Sequence, residues 1–185
     1  MAISETPLYT VKQGDIVVSE ERVSLNAIAG SSVVVAIWDR SRRVGGMVHC
    51  FHVRGIFSFK PSNIFIDCAV PTLVRQMVNS GADIMDLRAH ILGGASISSR
   101  SKRNAEALIN AARKALKKDR VMVSSENLGG NTGTKVVFDT WSGDIVVCRA
   151  GEEGDHLSDR GVELSRYGTE SGIFADMGSG SRLSK

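Results

Sequence analysis

No apolar run in this chain approaches the roughly 20 residues that span a bilayer, and the opening Met1-Ala2-Ile3-Ser4-Glu5 lacks a basic start followed by an apolar core. Membrane insertion and export are therefore not expected, and the chain reads as cytoplasmic. Cysteine is scarce. Cys50, Cys68 and Cys148 form an odd, widely spaced set without metal-type pairing, which fits a reducing compartment and argues against a disulfide scaffold. All three stand among apolar residues and are expected in the core. Excess charge is missing too: 23 Lys and Arg face 20 Asp and Glu, and the cations are scattered, so the net +3 marks no nucleic-acid footprint. The densest basic run, Arg113-Lys114 with Lys117-Lys118, falls near a helix C-terminus, where cations complement the dipole. Neither Gly93-Gly94 nor Gly129-Gly130-Asn131 carries the lysine and helix start of a nucleotide site, so no cofactor is expected. His49 and His52 stand three apart in a strand and face opposite ways, which argues against a shared metal. There is no internal repeat.

What is present suffices for one domain with a substantial core: 185 residues, 42% hydrophobic and 23% charged. Short β-type runs occupy 16–18 and 23–25. The uninterrupted apolar run 33–38, rich in β-branched residues, has the pattern of a strand buried on both faces, with 47–53 beside it and Gly45-Gly46 as its flexible entry. Residues 67–80 read as a helix capped by Asp67, with Pro71 in or near its first turn, a stripe of Val70, Leu73, Val74, Met77 and Val78, and Gly81 at its exit. A strand at 87–92, containing a structural His90, precedes a second helix over 104–116 with Ala105, Leu108, Ile109, Ala112 and Leu116 inward. Strands at 121–123, 135–138 and 144–148 close the domain, which is expected to be an α/β sandwich with mixed, largely antiparallel sheets over 1–150. Residues 151–185 turn polar and Gly/Ser-rich and read as a tail or loosely docked extension.

The candidate chemistry lies in Gly30-Ser31-Ser32, which runs into the apolar strand, and in Val44-Gly45-Gly46-Met47-Val48-His49 after the turn Asp39 to Arg43. Ser32 and His49 stand 17 residues apart, a separation that two antiparallel strands convert into neighbours at one edge. This arrangement resembles the chemoreceptor glutamine deamidases of bacterial chemotaxis, the CheD family, with Ser32 where that family has cysteine. Further segments are similar in order: Asp67-Cys68-Ala69-Val70-Pro71-Thr72-Leu73-Val74, then Leu92-Gly93-Gly94-Ala95-Ser96, Arg103-Asn104, and Glu126-Asn127-Leu128-Gly129-Gly130-Asn131 with Gly133, Lys135 to Phe138 and Gly143.

The resemblance implies a three-layer fold shared with the bacterial glutamine-deamidating toxin domains. It also implies hydrolysis of glutamine amides on the helical cytoplasmic part of chemoreceptors, and pairing with a CheC-type phosphatase. A cysteine beside histidine is a ready nucleophile because imidazolium favours the thiolate. Serine instead needs His49 to take its proton during attack, a third group to orient the ring, and an oxyanion hole. Six positions before Ser32, where the family has threonine, stands Asn26, whose amide is the candidate orienting group; Ser24, on the same strand face, is the second. Ser32 then admits three readings: an introduced Cys→Ser change, a diverged protein that binds receptors or phosphatase without turnover, or a serine amidase. The asparagine at 26 weighs towards divergence, since a designed change alters only the nucleophile.

Overall fold

The protein is described here by a computed structural model covering residues 6–53 and 62–150 and the backbone of a strand at 165–167. In chain order the elements are β1 (Leu8–Thr10), β2 (Ile16–Ser19), β3 (Ser24–Ala29), β4 (Val33–Asp39), β5 (Val44–Cys50), α1 (Ile66–Asn79), β6 (Leu87–Gly93), α2 (Ser99–Lys118), β7 (Met122–Leu128), β8 (Thr134–Asp139), β9 (Ile145–Arg149) and β10 (Ser165–Tyr167). They form two five-stranded sheets, ordered β1-β3-β8-β9-β10 and β2-β5-β4-β6-β7. Most pairings are antiparallel; β1 with β3 and β6 with β7 run parallel. Both helices pack on the second sheet, α1 over β5 and β2 and α2 over β4, β6 and β7, while β3 and β8 of the first sheet meet its opposite face. The result is an α/β sandwich of helices, sheet and sheet.

That stacking explains β4. Every residue from Val33 to Asp39 is buried, because one alternating set faces the helices and the other faces the second layer. In β3 only one set is inward: Leu25, Ala27 and Ala29 are fully buried, whereas Ser24, Asn26 and Ile28 turn outward. Leu25 sits opposite Phe138 of β8, and each such fully buried side chain contributes roughly 1.5–3 kcal/mol relative to exposure.

Several local expectations are revised. Gly45 and Gly46 lie inside β5, since both are paired on two sides, with Trp38 and Ile37 of β4 and with Ser19 and Val18 of β2. Helix α1 begins at Ile66 behind Phe65, and Asp67 is not its cap; the Ile66 N–H is already satisfied by the His52 carbonyl at 3.0 Å. Asp67 instead stands in the first turn, where a carboxylate complements the dipole. Val78 drops off the buried stripe. Helix α2 starts at Ser99, five residues before the expected start at Asn104, because Ser98 and Ser101 form a reciprocal capping box. Of the cysteines only Cys50 is buried; Cys68 and Cys148 are partly exposed. The polar extension expected over 151–185 lies outside the described residues apart from β10, which pairs antiparallel with β9. Among the described residues no helix is long and apolar enough to cross a membrane.

Candidate functional site

The site forms where β3 hands over to β4. Val34 is the cross-strand partner of His49, so Ser32, two residues earlier, lies on the same face and diagonally opposite the histidine. Their side chains meet: Ser32 Oγ is 2.8 Å from His49 Nε2. The other ring nitrogen, Nδ1, lies 3.3 Å from the Val11 carbonyl oxygen. A carbonyl only accepts, so Nδ1 carries the proton, and Nε2 presents its lone pair to the Ser32 hydroxyl. Burial pushes the His49 pKa below its ordinary value, opposed by the Val11 carbonyl and by the charge of Asp15. The ring is therefore neutral at pH 7 and able to take a proton.

Residues 11 to 15 act as a collar. Val11 donates its N–H to the Asn26 carbonyl at 2.7 Å, and Gly14 donates to the carbonyl of His49 itself at 2.8 Å. Gly14 has φ +89°, and a Cβ there would approach Ile64 Cγ2 at 3.1 Å, so the collar closes tightly only with glycine.

On the opposite flank, Gly94 N–H donates to the Ser32 carbonyl and Ala95 N–H to the Gly30 carbonyl, both at 2.8 Å. Gly93, at φ +101°, passes so close that a Cβ would come within 2.7 Å of both Ala29 Cβ and the Ser32 carbonyl oxygen. Ser32 and His49 retain only 3% and 4% exposure, while Gly30 and Ser31 beside them are exposed.

Ser32 and His49 thus come together, and Asn26 does not join them. Its Nδ2 donates to the Tyr9 carbonyl at 3.1 Å and bonds Thr10 Oγ1 at 3.1 Å, tying β1 to β3 on the outer face of the first sheet. Strand parity is the reason: Asn26, like Ser24, alternates with the inward Leu25 and Ala27, and His49 lies beneath that inward face. Asn26 reaches the histidine only through its backbone, whose carbonyl holds Val11. The orienting group, a main-chain carbonyl, has no residue signature by which sequence reading finds it.

The other candidate groups separate from this pair. His52 is exposed while His49 is buried. His90 is buried on β6, with Nδ1 hydrogen-bonded to Ser125 Oγ and Nε2 without a partner among the described residues. Burial raises the Cys50 thiol far above its ordinary range, and its Sγ lies 3.6 Å from the Asn63 carbonyl, away from Ser32. Among the described residues no cluster of three or more His, Cys, Asp or Glu side chains is arranged to hold a metal.

Residues 58–149 match the family described as CheD chemotactic sensory transduction. A protein of Methanococcus vannielii is 33% identical over 149 residues, covering 77% of this chain and 95% of its own length. One of Methanococcus maripaludis strain C5 is 30% identical over 146 residues with the same coverage, and one of Clostridium acetobutylicum is 32% identical over 129 residues, covering 66% and 78%. All three are named probable chemoreceptor glutamine deamidase CheD.

Proposed function

Because the chain belongs to the CheD family, we propose that it acts in the cytoplasm on glutamine side chains of the helical part of chemoreceptors, by acyl transfer at Ser32 and His49, and slowly because its nucleophile is a hydroxyl. The observation that carries this reading is the 2.8 Å contact between Ser32 Oγ and an Nε2 left unprotonated by the Nδ1 contact to Val11. Near-enclosure of the pair favours a slender side chain, such as glutamine, which carries its amide on two methylenes.

In the first half-reaction Oγ bonds to the amide carbon, its proton passes to Nε2, and the carbonyl electrons move onto oxygen. Collapse breaks the C–N bond as the imidazolium protonates the leaving nitrogen, giving ammonia and an ester on Ser32. Water then adds to that ester with His49 taking its proton, and collapse releases glutamate and restores the Ser32 hydroxyl. Serine sits unionised beside a neutral ring, so all the activation occurs during attack, whereas a thiol there is partly ionised beforehand.

The test is incubation with purified receptor cytoplasmic fragments, read by mass spectrometry of the amide-to-acid conversion. Slow conversion that is lost in Ser32→Ala and faster in Ser32→Cys supports the reading. A second reading, a binding module for receptors or for a CheC-type phosphatase, draws support from the same serine and the enclosed site. It prevails if the chain binds the fragments tightly and neither it nor Ser32→Cys converts them.

A further inference from the structure

We propose that the backbone N–H groups of Ser31 and Ser32 form the oxyanion hole of this site, and that Gly93, Gly94 and Ala95 are a strap that holds them in place; the inference rests on the acyl-transfer reading above. The strap grips the peptides on both sides of the Ser31–Ser32 link. Ala95 N–H takes the Gly30 carbonyl and Gly94 N–H takes the Ser32 carbonyl. In a trans peptide the C=O and N–H point to opposite sides. With its carbonyl on Ala95, the Gly30–Ser31 peptide directs the Ser31 N–H away from the strap, towards the exposed side of the loop.

Neither the Ser31 nor the Ser32 N–H donates to another group among the described residues. Two undonated N–H groups flank the nucleophile, and the adjacent Ser31 is exposed while Ser32 is buried. A carbonyl entering from the Ser31 side meets Oγ and these N–H groups together. When Oγ bonds to its carbon and the proton moves to His49 Nε2, the electron pair of the C=O bond becomes an oxyanion that both N–H groups can receive. Because the donors are fixed before the reaction, no reorganisation accompanies the developing charge.

The strap itself is braced from behind. Gly129 donates to the Gly93 carbonyl and Ser96 to the Gly130 carbonyl, each at 2.9 Å, so the turn after β7 supports the strap as the strap supports the loop. Gly93 is a positioning residue: any side chain there pushes on Ala29 and on the Ser32 carbonyl.

The experiment uses the full chain carrying Ser32→Cys, with two probes. Iodoacetamide alkylates a thiolate without forming an oxyanion, whereas p-nitrophenyl acetate must pass through one. Adding Gly93→Ala is expected to lower ester turnover by about 10²–10³-fold while alkylation changes by less than about threefold. A second variant replaces the N–H of residue 31, then of residue 32, by an ester oxygen, leaving every side chain in place; it is expected to show the same split and covers the case in which Gly93→Ala does not fold. Equal losses in both probes, or undiminished ester turnover in the backbone-ester variants, overturn the oxyanion assignment. If Ser32→Cys alone shows neither rapid alkylation nor ester turnover, the acyl-transfer reading fails and takes this inference with it.

Discussion

The sharpest quantitative consequence concerns His90 rather than the site. Its ring is buried on β6, its Nδ1 is occupied by Ser125, and its Nε2 faces no hydrogen-bond partner among the described residues. Protonation would therefore add a charge in an apolar layer and leave an N–H without an acceptor, and burial accordingly lowers its pKa from 6.5 to about 4. The folded-state value lies below the unfolded one, so above pH 6.5 the ring is neutral in both states and costs nothing. As pH falls below 6.5 the unfolded chain takes up a proton that the native state refuses, and stability declines by about 1.36 kcal/mol per pH unit until the native ring titrates near pH 4. The full effect is roughly 3 kcal/mol, of which about 2 kcal/mol has appeared by pH 5, a large share of the 5–15 kcal/mol typical of a domain. Urea unfolding of the chain and of His90→Leu at pH 7, 6 and 5 isolates the contribution. Loss of the Ser125 bond shifts the variant by a pH-independent amount, and the acid-side slope should be shallower in the variant by about one proton. Parallel slopes would refute the assignment of His90 as a buried neutral histidine.

Three other outcomes are expected. Ester or amide hydrolysis by the unaltered chain should stay level on lowering the pH through 6.5, because the buried His49 deprotonates below its ordinary value; Asp15→Asn, which removes a charge that raises that value, should move the acid limb lower still. In Ser32→Cys the new thiol should react with iodoacetamide far faster than Cys50, whose thiol burial holds protonated, and His49→Ala should remove the advantage, with peptide mapping as the readout. Asp39→Ala should cost about 2–4 kcal/mol in thermal unfolding, because this fully buried carboxylate accepts from the Asp83 and Arg42 N–H groups and from the Arg42 guanidinium, whereas Asp86→Asn at the exposed end of the same network should stay within about 0.5 kcal/mol.

The sequence by itself carried whatever depends on local periodicity. The run from Val33 to Trp38 could only be a strand covered on both faces, and the inward stripe of α2 is the one read from its helical spacing. Ser32 and His49 were legible as a pair because a turn between two strands and a two-residue period suffice to place them on one face. Parity also put Asn26 and Ser24 together, but which side of β3 faces the second sheet is settled by how the sheets stack, and that choice sends Asn26 outward to Tyr9 and Thr10. Strand β1 is too short to carry a periodic signal, and its parallel pairing with β3 is long-range. The tertiary structure alone decided what holds the histidine and the loop: the carbonyl of Val11 and the N–H groups of Gly94 and Ala95. Those are main-chain groups, which every residue but proline supplies alike, so only the folded path of the chain selects the ones that meet the site.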